Sequence, residues 1–397
     1  MMFRLFFLIL FLPLSLPLSA QFQVGHTSIT FTDPSRNDRP IPTEIYYPAE
    51  VGGDEAPLAA GQFPVIQFGH GFVMVWSAYQ HFWETYAAQG YILCFPKTEG
   101  TFSPNHTNFA KDLAFLCSAM EAEKANPTSL FFEHIQSRYC VMGHSMGGGC
   151  TILAQQYNPD LIQCVATFAA ANTNPSAIAV APAVSVPSLT FAGNYDCIAP
   201  PAQQAALIFQ ALDTTACKIY LNIDGASHCQ FANANTNCNL GEVFSGCSTP
   251  PISATAQQDL VNNILLPWLN TYLKEMPGFL SPLMDTLAAE NGFSAINNCQ
   301  NSTDIGDLAD PRLEFYVLDN PVSKSELSIQ FSDPELSSPI DFLIYDVTGQ
   351  LVLQVSRQAS KSDPLSSIPV TALRSGAYFI VAISKDGHKG VQKFVKF

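Results

Sequence analysis

Tyr139-Cys140-Val141-Met142-Gly143-His144-Ser145-Met146-Gly147-Gly148-Gly149 runs a short apolar segment straight into a serine bracketed by glycines two residues to either side. The apolar residues read as a buried strand, and the stretch after the serine as the start of a helix. A turn from strand to helix across one residue is so tight that only glycine fits at the flanking positions. It lifts the Ser145 hydroxyl clear of the sheet. The helix start also aims its free N–H groups at any oxyanion that forms beside that hydroxyl.

The surrounding chain repeats the pattern. Strands are expected at Thr27–Thr32, Glu44–Tyr47, Val65–Phe68, Tyr91–Phe95, Tyr139–Met142, Val165–Ala169, Ser188–Ala192 and Lys218–Ile223. Helical stretches fall between or after them at Ser77–Ala88, Asn108–Glu123, Gly148–Tyr157, Ala202–Leu212, Thr255–Leu273 and Pro282–Ala289. Such alternation builds βαβ units and a mostly parallel sheet flanked by helices, an α/β fold.

A serine hydroxyl is a poor nucleophile at neutral pH unless a histidine takes its proton and a carboxylate orients that histidine. In hydrolases built on such a turn the acid and then the base follow the serine in chain order. Asp196, in Gly193-Asn194-Tyr195-Asp196, follows the strand Ser188–Ala192; His228 follows the strand Lys218–Ile223. Both fall at the carboxyl edge where Ser145 emerges, the edge at which open α/β sheets place their sites. Asp224 is nearer to His228, but Asp-Gly after a strand is a turn signal. Asp213 follows a helix and reads as a surface or cap residue. His144 adjoins the serine with its side chain directed away, as a packing residue, and His26, His81, His106, His134 and His388 lack comparable placement.

Phe68-Gly69-His70-Gly71-Phe72 follows an early strand and suits the second half of an oxyanion hole. The backbone N–H groups of Phe72 and Met146 are the candidate donors. Phe72, Trp76 and Ile198 are candidate walls of a substrate cleft, with core packing the alternative for Trp76.

The 397 residues are 47% hydrophobic and 13% charged, with a net charge of −15, so the chain has apolar residues enough for a sizeable core. The acidic balance argues against nucleic acid and anionic membranes as partners. Arg4, the apolar run Leu5–Leu12 and Leu18-Ser19-Ala20 read as a secretory signal over residues 1–20, with a membrane anchor as the alternative. Eleven cysteines between Cys94 and Cys299 suit an exported protein. Their number is odd, so at least one stays unpaired within the chain. Cys197, Cys217, Cys229, Cys238 and Cys247 crowd the region of the acid and base, where disulfides would pin loops; which pairs form is not legible.

The texture changes near residue 300. Asp304, Asp307 and Asp310 read as an acidic linker over 300–315, with a calcium loop as the alternative. Period-two strands follow at Leu327–Phe331, Asp341–Tyr345, Leu351–Val355 and Ala377–Ser384, a small all-β sandwich over 316–397. Residues 316–397 are neutral overall, whereas 21–315 carry the acidic excess.

Over about residues 24–275 the chain resembles the α/β-hydrolase superfamily, in its dienelactone hydrolase, cutinase and polyester hydrolase branch. The likeness rests on Asp33-Pro34-Ser35-Arg36, Ile45-Tyr46-Tyr47-Pro48, His70-Gly71-Phe72, Gly143–Gly149, Asp196-Cys197-Ile198-Ala199-Pro200 and Gly225-Ala226-Ser227-His228. It implies a serine esterase without a cofactor: Ser145 as nucleophile, His228 as base, Asp196 as its orienting acid, Phe72 and Met146 as oxyanion donors, and an acyl ester as substrate. Bacterial polyester hydrolases carry a tryptophan where this chain reads Ala170-Ala171-Asn172-Thr173-Asn174-Pro175. An idle ligand-binding protein on the same fold, or a lipase or phospholipase, are the alternatives.

The C-terminal part resembles the sorting domain of type IX secretion substrates, in Asn320-Pro321-Val322, Ile344–Gln350, Leu373–Phe379 and Lys393–Phe397. That likeness implies passage through the type IX machinery across an outer membrane, to a secreted or surface location. A carbohydrate-binding or adhesive sandwich is the alternative. The protein is expected to act as a monomer.

Overall fold

The segment Phe63–Gly69 is buried at every position, and its side chains alternate between two apolar cores, Val65 facing one and Ile66 and Phe68 the other. A strand of this kind belongs to a parallel sheet covered on both faces. A computed structural model of the protein describes residues 22–299 and, from 313 to 397, all but 319, 324, 332–338, 348, 359–364 and 386–387. The expected signal at 1–20 and most of the expected acidic linker, 300–312, lie outside the described residues.

The strands of the larger unit are β1 (Gln23–Asp33), β2 (Arg39–Ala49), β3 (Gly53–Asp54), β4 (Phe63–Gly69), β5 (Ile92–Pro96), β6 (Ile135–His144), β7 (Ile162–Phe168), β8 (Ser188–Gly193), β9 (Lys218–Ile223) and β10 (Phe293–Asn297). They form one sheet in the order β10-β9-β8-β7-β6-β4-β5-β2-β1-β3. Strands β4 to β9 pair in parallel, while β1 on β2, β2 on β5 and β10 on β9 are antiparallel. The helices are α1 (Gln80–Ala88), α2 (His106–Ala125), α3 (Met146–Gln155), α4 (Ala177–Val180), α5 (Ala205–Ala211), α6 (Thr236–Phe244), α7 (Ala254–Tyr272) and α8 (Leu280–Ala289). Leu113 of α2, Leu153 of α3 and Ile208 of α5 enter one core; Phe82 of α1, Trp268 of α7 and Leu283 of α8 enter the other. No helix among the described residues is long and apolar enough to cross a membrane.

The sheet and its flanking helices are those the alternation implied, with four additions, the short β3 and α4 and the longer β10 and α6. Strand β10 closes one edge, and only Phe293 of its five residues is buried, so it lacks the apolar run that marks the inner strands. Helix α6 lies between the base loop and α7 with none of its residues buried.

The smaller unit has its own core, including Phe315, Leu327, Ile329, Phe342, Ile380 and Phe394. Its strands are β11 (Phe315–Val317), β12 (Glu326–Phe331), β13 (Pro339–Asp346), β14 (Leu351–Gln358), β15 (Leu365–Pro369), β16 (Gly376–Ser384) and β17 (Lys389–Lys396). They form a three-stranded sheet, β11-β12-β15, and a four-stranded one, β14-β13-β16-β17. Period-two patterning was enough to find four of these strands; β11, β15 and β17 join them.

Two glycines fix how closely α3 approaches the sheet. A Cβ on Gly147 would stand 2.1 Å from the carbonyl oxygen of Gly69 in β4, and one on Gly143 would stand 2.4 Å from the Gly147 carbonyl group. Backbone meets backbone here, so no rotamer change relieves a larger residue. Gly147→Ala is expected to lower the thermal midpoint by roughly 5–10 °C. Gly241→Ala, in α6 with its nearest neighbour at 4.0 Å, is expected to leave the midpoint unchanged or raise it. Thermal unfolding by circular dichroism checks both, and equal midpoints for the Gly147 variant and the parent would refute the close contact.

Candidate active site

Strand β6 ends at His144 and α3 begins at Met146, so Ser145 alone makes the turn. Its backbone sits at φ 55°, ψ −118°, a region that a side chain strains. Three backbone hydrogen bonds hold it there. The Ser145 N–H donates to the Phe168 carbonyl at 2.9 Å, and the N–H groups of Gly149 and Ala171 donate to the Ser145 carbonyl at 3.1 and 3.0 Å. The hydroxyl makes no hydrogen bond among the described residues.

Strands β8 and β9 are parallel neighbours, and the loops after them leave the same sheet edge. The Tyr195 N–H bonds the Ala226 carbonyl at 2.9 Å, tying one loop to the other. At their meeting point His228 Nδ1–H donates to Asp196 Oδ2 at 2.7 Å, with both side chains buried. The second carboxylate oxygen accepts the N–H groups of Ile198 and Ala199 at 2.9 and 2.8 Å. Nδ1 of a neutral His228 thus carries the proton, which leaves Nε2 as the basic nitrogen. Asp224 takes no part: its Oδ1 accepts from Asn194 Nδ2. His26, His81, His106 and His134 each bond partners elsewhere: Asp54 and Glu44, Asn233, Asn174 and Gly61.

His144 does more than pack. It is fully buried, its Nε2 lies 3.1 Å from the His228 carbonyl and its Nδ1 lies 3.0 Å from the Tyr79 hydroxyl. Burial holds its pKa well below the ordinary histidine value, with the nearby His228 a lesser cause. A carbonyl can only accept, so a neutral His144 donates through Nε2 and accepts from Tyr79 through Nδ1. The Tyr79 oxygen in turn accepts the Gly71 N–H at 2.8 Å. One chain of three hydrogen bonds therefore links the glycine loop, the serine turn and the base loop. Nothing in the spacing of Tyr79 and His144, 65 residues apart, announces this link.

Neither the Phe72 nor the Met146 N–H has an acceptor among the described residues, and Met146 is the first residue of α3. The loop before Phe72 is braced from behind. His70 Nε2 lies 2.9 Å from the Thr98 carbonyl, and the Thr98 hydroxyl donates to the buried Asp112, which also binds Arg36 and Arg39. Phe72 is 50% exposed and meets Phe102 edge-on at 6.4 Å. Ile198 is partly exposed beside Asp196. Trp76, half-buried, packs with Trp83, Tyr46 and His26 in an aromatic stack on the α1 face.

Three disulfides form, Cys197–Cys247, Cys217–Cys299 and Cys229–Cys238, and five buried cysteines stay free. Two of the bridges begin at the residue directly after Asp196 and the residue directly after His228.

Residues 319–396 match the secretion system C-terminal sorting domain. The chain is accordingly exported, to a secreted or cell-surface location. Among curated proteins, Cutinase 1 of Thermobifida cellulosilytica is 40% identical over 93 residues, 23% of this chain and 33% of its own length. Cutinase est2 of Thermobifida alba is 27% identical over 206 residues, 50% of this chain and 59% of its own. A bis(hydroxyethyl) terephthalate hydrolase of Streptomyces coelicolor is 28% identical over 193 residues, 48% and 56%. The chain thus spans less than two thirds of the length of each of these relatives. Residues 26–245, more than half of the chain, match the family described as PET hydrolase-like. That stretch takes in the serine turn, the acid loop and the base loop together, and the chain belongs to the PET hydrolase-like family.

Proposed function

We propose that the protein is an exported serine hydrolase that cleaves carboxylic esters through an acyl-enzyme. Ser145 attacks the ester carbonyl, and His228 Nε2 takes the hydroxyl proton and returns it to the leaving alcohol. Asp196 holds the ring in the tautomer this requires. The Phe72 and Met146 N–H groups receive the oxyanion, and water clears the acyl group by the same steps. The observation that carries the reading is the buried 2.7 Å bond from His228 to Asp196, at the sheet edge where Ser145 stands on a strained turn. The names of the relatives, cutinases and a terephthalate ester hydrolase, support an ester of apolar acids, polyesters included. The C-terminal unit would serve as the address for type IX secretion.

His144 acts in this scheme as a positioning residue, fixing the glycine loop and the base loop relative to the nucleophile.

Ser145→Ala is expected to cost roughly 10⁴–10⁶ in turnover of p-nitrophenyl butyrate and to abolish labelling by a fluorophosphonate probe. A Ser145→Ala protein that hydrolyses at the parental rate would remove the assignment. His144→Leu removes the donor to the His228 carbonyl and the ring nitrogen that accepts from Tyr79, leaving that hydroxyl only Gly71 N–H and the weak acceptor Met74 Sδ. It is expected to lower kcat about 10- to 100-fold with KM little changed, and His144→Gln, which keeps one bond, to lose less. A third expectation concerns acid. Burial lowers the pKa of His70, His81 and His144, that of His81 to about 4, so all three are neutral in the fold at pH 7. Below about 6.5 the unfolded chain takes up protons that the folded one refuses. Stability present at pH 7 should therefore decline as the pH falls from about 6.5 towards 4, which midpoints measured across that range will test.

A further inference from the structure

Helix α6 has its apolar residues on the wrong side for a helix that folds by packing. Leu240, Val243 and Phe244 stand at positions i, i+3 and i+4, one face of the helix, and are 45%, 70% and 82% exposed. A surface helix ordinarily turns that stripe inward, and a nine-residue helix with nothing buried has little to stabilise it. Here the stripe faces solvent, and other contacts fasten the helix.

Those contacts all reach the loops of the site. Cys238, inside the helix, is bridged to Cys229, the neighbour of His228; Cys247, just past its end, is bridged to Cys197, the neighbour of Asp196. Glu242 turns inward to accept the Cys229 N–H at 3.0 Å, and Asn237 Nδ2 donates to the carbonyl of Val73, the neighbour of Phe72. A Cβ added at Gly241 would stand 4.0 Å from Ile198 Cδ1. The helix is thus fixed to the acid, base and oxyanion loops at once. Glu242 is its one acidic or basic residue and is used internally, so in a chain of net charge −15 the outward face carries no charge.

We propose that α6 is a docking ridge for the surface of a solid polyester, with Leu240, Val243 and Phe244 as its contact face. The idea rests on the ester-hydrolase reading and adds to it an element that meets the substrate outside the cleft. A ridge cross-linked at both ends cannot swing aside as a lid does, so it presents one fixed shape, suited to a rigid solid more than to a fluid lipid aggregate. Phe72, next to the Val73 whose carbonyl Asn237 binds, and its edge-on partner Phe102 are likewise apolar and 50% and 84% exposed. A single dissolved ester needs only the cleft. An outward stripe on the rim gains contact only when the substrate extends past it.

The test uses the full-length, disulfide-intact protein and the double variant Val243→Ser/Phe244→Ser, both checked for an unchanged thermal midpoint. In a Ser145→Ala background, adsorption to amorphous poly(ethylene terephthalate) nanoparticles is expected to weaken at least fivefold in the variant. In the active background, the ratio of product release from the particles to p-nitrophenyl acetate hydrolysis should fall about tenfold. Unchanged adsorption overturns the proposal, as does an equal loss on both substrates, which would make α6 merely structural. A loss confined to tributyrin emulsion would assign the ridge to lipid, and a parental dimer that the variant turns into a monomer would assign it to self-association; either result also overturns it. If the parental protein does not hydrolyse p-nitrophenyl acetate, the ester-hydrolase reading fails, and the adsorption arm still decides the ridge by itself.

Discussion

The hydrogen bond between the His144 ring and the carbonyl of His228 is the contact on which the arrangement of this site depends. Each of the three loops around Ser145 is shaped by local means: glycines in one, a carboxylate capping its own backbone in another, a tight turn after a strand in the third. Local means alone do not set the loops relative to each other. A neutral ring buried between the glycine loop and the base loop sets those two, because it donates on one side and accepts on the other and burial makes either bond costly to break, while the Tyr195–Ala226 bond ties the acid loop to the base loop. The strain at Ser145 is tolerated for the same reason. Its backbone is bonded to β7 and to the loop after it, so the unfavourable dihedral is overruled by contacts that relaxation would lose.

Much of this was legible in the sequence, and the reason is burial. Strands covered on both faces read as unbroken apolar runs, and β4 to β9 were found that way. The serine turn was legible because glycine at 143 and 147 is a steric requirement with no substitute. Asp196 and His228 could be placed at a common edge because each follows a parallel strand by only a few residues. Features that depend on partners far away in the chain left no trace. The Tyr79–His144 pair has no spacing signal, the cysteine pairing is one of many, and Trp76 looks the same whether it faces a cleft or a stack of rings. Strand β10 and helix α6 escaped for the opposite reason: neither buries enough apolar surface to create a periodic pattern directed inward.

The relationship to the PET hydrolase-like family and the geometry point the same way while resting on independent grounds. The family match concerns the order and kind of residues. The bond lengths around Asp196, His228 and His144 concern where those residues meet. The structure adds a covalent part: the residues after the acid and after the base are both cross-linked, and both links run to the same short helix and its immediate flank.

The division of the cysteines has a consequence for maturation. All five free thiols, Cys94, Cys117, Cys140, Cys150 and Cys164, are buried in the first half of the larger unit, and all six bridged ones come later in the chain. With those five thiols shut inside the fold, an oxidant meets six sulfurs instead of eleven, and six allow only about 15 complete connectivities. Depth of burial acts as a sieve, leaving the oxidising compartment a short choice in place of a long one.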